Sequence, residues 1–403
     1  MKLREALQIR AGHSPAGSPA MMLGRMTRRT LALGGLAVLI AGCQVIPKSP
    51  VTAPPAPTPE PSATALPADA DRHRIALLLP MTGDTGAIGQ TIANATTMAL
   101  LDTNASNLRI TTYDTAKGAA VAARQAVADG NKLILGPLFA DSVPAVIEAT
   151  RGSKIPAISF SNDASIAGGN VFVMGQIPEQ SIRRTVQFAR ARGSNRFAAL
   201  TPEGDYGARS LSALENALRQ FGGTLVARQS YSRGNTSIVG AAARLRSAGG
   251  YDTVLIADSA RLSVQAAGEL QRGARARILG TDLWAGDAAL AGAPALNGAL
   301  FSTVSDQRFR RFAESYEARF GTKPARVATL GYDAVLLTLR VARDWKVGSD
   351  FPQAQLYDAG GFLGVDGAFR FGRNGVIERA LEVREVRGRE VVEVDPAPQG
   401  FGG

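Results

Sequence analysis

Cysteine and histidine are almost missing from this chain of 403 residues: there is one Cys, Cys43, and of two His only His73 lies beyond the opening segment. A single thiol excludes any disulfide within the chain. So few imidazoles leave Cys/His zinc sites and Ser-His or Cys-His nucleophilic pairs almost nothing to work with, and no metal or cofactor is expected. Blocks of like charge are missing too. The formal +11 is partly an effect of residues 1–42, which hold six Lys/Arg and one acid, Glu5; the remainder carries 39 basic against 33 acidic residues, a surplus of six. These charges are scattered and mostly Arg, with no basic block interleaved with aromatics, which argues against nucleic-acid binding. His73, between Arg72 and Arg74 at the mouth of a strand, is expected to flank it in solvent. What the chain has instead is apolar material: 45% hydrophobic against 20% charged residues, enough for two buried cores.

At the front, Arg25, Arg28 and Arg29 precede an apolar run of about a dozen residues that ends in small side chains. This is a secretory signal, residues 1–42, too short for a spanning helix. Its start is over-extended, since Met21, Met22 or Met26 could open a normal leader. The terminal Ile40-Ala41-Gly42-Cys43 resembles the bacterial lipobox, in which the cysteine is acylated and becomes the mature N-terminus, a membrane anchor through lipid. The next residue, Gln44, is not Asp; in the Gram-negative pattern this resembles, that favours the outer membrane, facing the periplasm. Residues 44–71 hold eight prolines among Ala, Thr and Ser. Such a segment cannot build a core. The stretch 43–72 therefore reads as a lipidated linker with a polyproline bias, reaching about 85 Å if fully extended at roughly 3.1 Å per residue.

From Arg74 the pattern is β-α, repeated. Ile75-Ala76-Leu77-Leu78-Leu79, Lys132-Leu133-Ile134-Leu135 and Ile155-Pro156-Ala157-Ile158 are short apolar runs without polar alternation, each leading into a Pro/Gly/Ser-rich loop. Such runs suit strands buried on both faces, and the helical segments between them imply right-handed crossovers and a parallel sheet. Loops at the carboxyl ends of these strands would line a ligand crevice. The pattern restarts near residue 196, with strands at Phe197–Leu200, Thr224–Gln229, Thr253–Ala257 and Arg277–Leu279. Helices are expected at Pro178–Arg192, Tyr206–Phe221, Ser237–Ala248, Arg261–Gly273, 306–320 and 325–346. The tail changes period: Phe369-Arg370-Phe371 and Ala380–Val386 flank Gly372-Arg373-Asn374-Gly375, which is hairpin chemistry. Gly83, Gly86 and Gly89 follow a strand but lack the phosphate-loop spacing and its Lys-Ser/Thr. They are expected to admit a ligand or loop close to the backbone.

The segments Leu79-Pro80-Met81-Thr82-Gly83, Gly136-Pro137-Leu138-Phe139, Ile155-Pro156-Ala157-Ile158-Ser159, Asp205-Tyr206-Gly207, Gly280-Thr281-Asp282, Gly331-Tyr332-Asp333-Ala334 and Gly364-Val365-Asp366-Gly367 run in order over nearly the whole body. Together they resemble the leucine/isoleucine/valine-binding branch of the type I periplasmic solute-binding proteins. The resemblance implies an α/β fold of two Rossmann-like lobes with parallel sheets, hinged by three crossovers near 175–180, 300–305 and 345–355. The lobes would then be 73–177 plus 305–347 and 178–304 plus 348–394, with a tail at 395–403. Lipobox, tether, Gly-Pro-Leu-Phe, Ile-Ser-Phe-Ser-Asn-Asp and Gly-Thr-Asp-Leu-Trp are also similar to the penicillin-binding-protein activator lipoproteins. That likeness implies a non-enzymatic regulator of peptidoglycan synthesis whose partner is a synthase. The alternative is the substrate-binding lipoprotein of an ABC importer for amino acids or another small polar ligand.

For the site, the resemblance implies residues that hold a ligand's carboxylate in one lobe and its ammonium in the other. A serine of the first loop falls at Ala140, so that hydroxyl is gone. The second loop's pair falls at Asn162 and Asp163, and an acid there repels a carboxylate. Tyr206 is retained as a closing aromatic, a second aromatic is lost near Ser259, and Asp282 corresponds to the carboxylate that pairs the ammonium. Half of the amino-acid clamp is missing. The expected ligand-binding set is Ser159, Ser161, Asn162, Tyr206, Asp258 and Asp282, with no catalytic residue. Ser159 and Ser161 could equally cap the following helix, Asp282 could be a structural loop carboxylate, and Trp284 could be core or ligand platform.

Overall fold

The computed structural model describes residues 71–401, apart from 235–236 and 273–274. The expected signal peptide, Cys43 and the expected linker up to residue 70 lie outside the described residues. Among the described residues no helix is long and apolar enough to cross a membrane.

The first βα set runs β1 (His73–Leu79), α1 (Gly86–Asp102), β2 (Leu108–Asp114), α2 (Ala119–Ala128), β3 (Leu133–Leu135), α3 (Val143–Thr150), β4 (Ala157–Ser159) and β5 (Val171–Val173). Its strands form a parallel sheet in the order β2-β1-β3-β4-β5. The unbroken apolar run of β1 has its expected cause. Ile75, Leu77 and Leu79 enter one core while Ala76 and Leu78 enter another on the opposite face, so neither face leaves room for polar alternation.

The second set comprises α4 (Pro178–Ala191), β6 (Arg196–Pro202), α5 (Asp205–Phe221), β7 (Thr224–Tyr231), α6 (Ser237–Ala248), β8 (Thr253–Ile256), α7 (Ala260–Leu270), β9 (Arg277–Leu279) and β10 (Leu300–Thr303). Next come α8 (Asp306–Phe320) and α9 (Ala328–Ala342), which pack on the first lobe. In the first lobe α9 lies along α1, and Phe312 and Tyr316 of α8 share a core with Ala95 and Met98. The chain ends in β11 (Phe362–Gly364), β12 (Gly367–Phe371), β13 (Ile377–Arg379), β14 (Glu382–Arg387) and β15 (Glu390–Asp395). The second sheet is ordered β15-β14-β10-β9-β8-β6-β7, parallel except for β14 and β15. It too is covered twice, by Ala198 and Leu200 on one face and Phe197 and Ala199 on the other. The α/β class with two parallel-sheet lobes is therefore as expected.

Three expectations need correction. Residues 348–379 do not join the second lobe. Phe351, Leu356, Phe362, Phe369, Phe371 and Ile377 pack into the core that holds Ile75 and Leu77, and the Val173 amide donates to the Gly375 carbonyl at 2.9 Å. The last crossing therefore falls between Arg379 and Glu382 rather than at 345–355. Apolar β-period segments fit either core, and only packing chooses. For the same reason the hairpin turn at Gly372–Gly375 joins β12 to β13, while 382–387 belongs to the other sheet. His73, finally, is buried rather than solvated. Its ring stacks 4.0 Å from that of Trp345, and burial lowers its pKa.

Two glycines set how helices seat on strand ends. A Cβ at Gly89 would come within 1.9 Å of the Pro80 carbonyl oxygen, and one at Gly207 within 1.7 Å of that of Pro202. The first accounts for Gly89, in the first turn of α1, as a close backbone approach to the β1 loop; the second seats α5 beside the cleft. Gly207→Ala should accordingly lower stability by about 3 kcal/mol, read as a shifted denaturant midpoint, because backbone rather than a yielding side chain is in the way. An unchanged midpoint would mean that α5 is free to move outward.

Candidate functional site

The carboxyl-terminal loops of the two sheets face each other across a cavity of about 470 Å³. The first lobe contributes Leu138 and Phe139 after β3 and Phe160 and Asn162 after β4, with Ile88 from α1. The second contributes Asp282, Leu283 and Ala285 after β9, and Gln176, Arg326, Val327 and Leu330 close the hinge side. Ile88, Phe139 and Leu283 are each about two-fifths exposed (40, 38 and 41%), apolar surface left uncovered on facing walls. Larger hollows of about 540 and 720 Å³ exist, but neither is lined by a loop of the first sheet.

Local hydrogen bonds shape each wall. Asp114, at the end of β2, accepts from the Met81 amide at 2.8 Å, the Thr82 hydroxyl at 2.7 Å and the Ala116 amide at 3.0 Å. Burial alone would raise its pKa, but these donors bring it below the ordinary value. It organises the β1 loop. Ser159 and Ser161 are both buried. The Ser159 hydroxyl donates to the Pro137 carbonyl at 2.9 Å and accepts from the Ser161 amide, and the Ser161 hydroxyl accepts from the Asp163 amide at 3.1 Å. Both hydroxyls face inward and brace the loop, so neither lines the cavity; Asn162 does.

On the second lobe the Tyr206 hydroxyl shares a hydrogen bond with Thr281 at 3.1 Å, and the Arg233 guanidinium lies 5.2 Å over its ring. Burial, then the nearby Asp282 charge, holds this phenol above its usual range. Tyr206 supports the Thr281-Asp282 turn and does not line the cavity. Asp258 does not line it either. Buried, it accepts from Tyr231, from Arg233 at 2.8 Å and from the Ser259 amide at 2.7 Å. Its carbonyl takes the Trp284 indole N–H at 3.0 Å, and Trp284 is core, fully buried against Phe301. Asp258 thus ties β7, β8 and the Trp284 turn together.

Asp282 is different. Its Oδ1 is shielded from solvent and has no hydrogen-bond partner, and its pKa is pushed up to about 7, first by burial and then by the charge of Glu179. Glu179, in the first turn of α4, likewise keeps Oε2 shielded and unpartnered. Its Oε1 lies 3.6 Å from Arg209. Arg209, on α5, reaches across to the first lobe, donating to the Asn162 carbonyl at 2.9 Å and lying 3.8 Å from Asp163. Arg326 lines the cavity with its charge already engaged, by Asp306, by Asp366 at 3.1 Å and by the Ser305 carbonyl at 3.2 Å.

Of the expected set, the structure thus brings Asn162 and Asp282 together on one cavity and leaves Ser159, Ser161, Tyr206 and Asp258 behind its walls. Glu179, Arg209 and Gln176 were not anticipated. Arg209 carried a faint signal, since a cation near a helix amino terminus opposes the macrodipole and calls for a partner elsewhere. Among the described residues no group of three or more His, Cys, Asp or Glu could hold a metal ion.

A family profile described as Periplasmic binding protein matches residues 73–390. Several solved structures share the fold. A protein of Rhodospirillum rubrum, provisionally assigned to branched-chain amino acid ABC transport, has a TM-score of 0.71 at 20% identity, covering 80% of this chain and all (100%) of that one. A branched-chain amino acid ABC transporter periplasmic ligand-binding protein of Burkholderia xenovorans LB400 gives 0.66 at 17% identity over 82% and 97% of the two chains. A solute-binding protein of an ABC transporter from Rhodopseudomonas palustris BisB5, in complex with 3,4-dihydroxybenzoic acid, gives 0.64 at 18% over 82% and 99%. An uncharacterised protein of Rickettsia prowazekii (strain Madrid E) is 28% identical over 153 residues, 38% of this chain, and the match spans only 41% of that protein's length.

Proposed function

Because the chain belongs to the periplasmic binding protein family, we propose that it is a non-enzymatic solute receptor of the cell envelope, tethered through Cys43, which captures a small ligand between its lobes for an ABC importer. The observation that carries this reading is the cavity between the strand ends of both sheets, whose volume of about 470 Å³ lies in the range of small-molecule sites. Asn162, Gln176, Asp282 and Arg326 are its polar lining, Ile88, Leu138, Phe139 and Leu283 part of its apolar lining, and Tyr206 holds the Asp282 turn in place. A thermal-shift panel of amino acids, amines, aromatic acids and sugars on the full chain tests it. A ligand at a hundred times its dissociation constant should add about 2.7 kcal/mol of stability, a shift of several degrees. No shift from any class would overturn the receptor reading.

The inward-facing hydroxyls of Ser159 and Ser161 favour one further reading. A lobe in which the Ser159 hydroxyl is given to the Pro137 carbonyl, and the Ser161 hydroxyl accepts from the Asp163 amide, suits a protein whose partner is another protein. On that reading the chain is an outer-membrane lipoprotein regulating a peptidoglycan synthase, with the Pro-rich linker supplying reach. Co-purification with the synthase and a changed rate of glycan polymerisation would support it; neither effect would exclude it.

A further inference from the structure

A hollow of about 320 Å³ shares no lining residue with the cleft and lies where the chain makes its last crossing. One wall is a face of α4: Gln180, Arg183, Arg184 and Gln187 recur at the spacing that puts side chains on one side of a helix. Gln220 and Phe221 at the end of α5 adjoin it, Arg379, Ala380 and Leu381 come from the crossing, and Pro398, Gly400 and Phe401 of the tail close it. Every charged side chain in this lining is an arginine, and the other polar side chains are the amides of glutamines. Arginines gathered about one hollow repel one another unless acids match them. Arg184 is matched: Asp395 lies 2.6 Å from it, and the Leu381 carbonyl accepts from its Nε at 3.2 Å. Arg183 is exposed, and among the described residues no acid is paired with it. Arg379 is only 7% exposed. Its Nη2 donates to the Met174 carbonyl at 3.0 Å, but Nε and Nη1 are shielded and have no acceptor. Asp333 of α9 stands 3.9 Å from Nη1, beyond hydrogen-bond reach, and takes the Val365 amide at 2.6 Å instead. Burial, then the Asp366 charge, hold that carboxyl above its ordinary range, so it neutralises Arg379 incompletely. Buried guanidinium N–H groups without acceptors are costly, and an oxyanion brings both acceptor and charge to the planar fork of an arginine.

We propose that this hollow is a second binding site, separate from the cleft, for a small organic oxyanion: a phosphate or carboxylate head on an apolar or aromatic body. Arg379 meets the head from the buried side and Arg183 from the exposed side, with Gln187 and Gln220 as neutral donors. The body lies against Phe221, Leu381 and Phe401. A volume at the lower end of the small-molecule range restricts that body to about one ring. The walls belong to different lobes, since α4 packs on α5 and β10 while Arg379 ends β13 of the first, so a ligand here bridges them. The site does not depend on the receptor reading, because a ligand in the cleft meets none of these residues.

Isothermal titration of the full chain with phenyl phosphate, benzoate and inorganic phosphate decides it. Phenyl phosphate, benzoate or both should bind, the tighter of them naming the head, and inorganic phosphate should bind more weakly than either. Arg183→Ala should weaken that binding about tenfold and Arg379→Gln about a hundredfold, and circular dichroism would show both variants folded. Arg183 is exposed, so its variant keeps the test open should the other fail to fold. Binding that neither substitution alters belongs elsewhere, the cleft included, and would overturn this site while leaving the receptor reading intact. Inorganic phosphate binding as tightly as phenyl phosphate would overturn the apolar body. Silence from both phenyl phosphate and benzoate would overturn the site, whatever the panel for the cleft shows.

Discussion

Asp282→Asn should make the protein more stable at pH 8, by about 2 kcal/mol. An unfolded Asp ionises near 3.8, whereas in the fold burial and Glu179 push this carboxyl up to about 7. As pH rises from about 4 to 7 the unfolded chain sheds its proton and the folded protein keeps it, so the wild type loses stability across that window and none above it. The full separation of the two values corresponds to about 4 kcal/mol, and partial solvent access at Asp282 halves that. Asn is the neutral isostere and escapes the penalty. Denaturant titrations of both proteins at pH 4 and pH 8 should coincide at the lower pH and diverge at the higher. The charged groups facing Asp282 are Glu179 from α4 and, beyond the Tyr206 ring, Arg233; Asp258 is already neutralised by that arginine. A variant no more stable than the wild type at pH 8 would show that Asp282 is already matched in the empty protein.

Arg209→Ala should let the lobes separate. The Arg209 guanidinium is bonded to the Asn162 carbonyl of one lobe from a helix of the other, with Asp163 and Glu179 on either side. A hydrogen bond to a charged group in a partly buried setting is worth about 1.5–3 kcal/mol, so its loss moves an open–closed balance by roughly ten- to a hundredfold. Small-angle scattering of the full chain should show a larger radius of gyration for the variant, and spin labels on α3 and α6 a broader, longer distance distribution. Identical distributions would mean that the crossovers alone hold the lobes. The tail adds one more tie for comparison. Past β15, which pairs Asp395 with Arg184 at 2.6 Å, the chain returns to the first lobe and places Phe401 4.8 Å under Arg370.

Most of the fold was legible in local pattern, and the site only in part. Runs such as Ile75–Leu79 and Thr253–Ile256 declare strands buried on both faces because each successive side chain enters an apolar layer. The helix boundaries at 237–248 and 306–320 fall where expected for the same reason, a period that local chemistry enforces. At the site, Asn162 and Asp282 were reached through resemblance. Ser159, Ser161, Tyr206 and Asp258 lie behind the cavity walls, because a hydroxyl or carboxylate takes its role from whichever partner folding brings. For Ser159 that partner is the Pro137 carbonyl, and for Asp258 it is Tyr231 and Arg233.

The order of residues alone determined that this chain is α/β, that its sheets are parallel and that two βα sets follow one another. Those properties depend on periodicity and composition, which neighbours a few positions apart already express. Tertiary structure decided that residues 351–377 complete the first core, that Asp258 is a brace and Asp282 an unmatched acid, and that Arg209 joins the lobes. Each of these depends on which distant groups share a buried volume, and burial and charge balance belong to the assembled interior rather than to any stretch of chain.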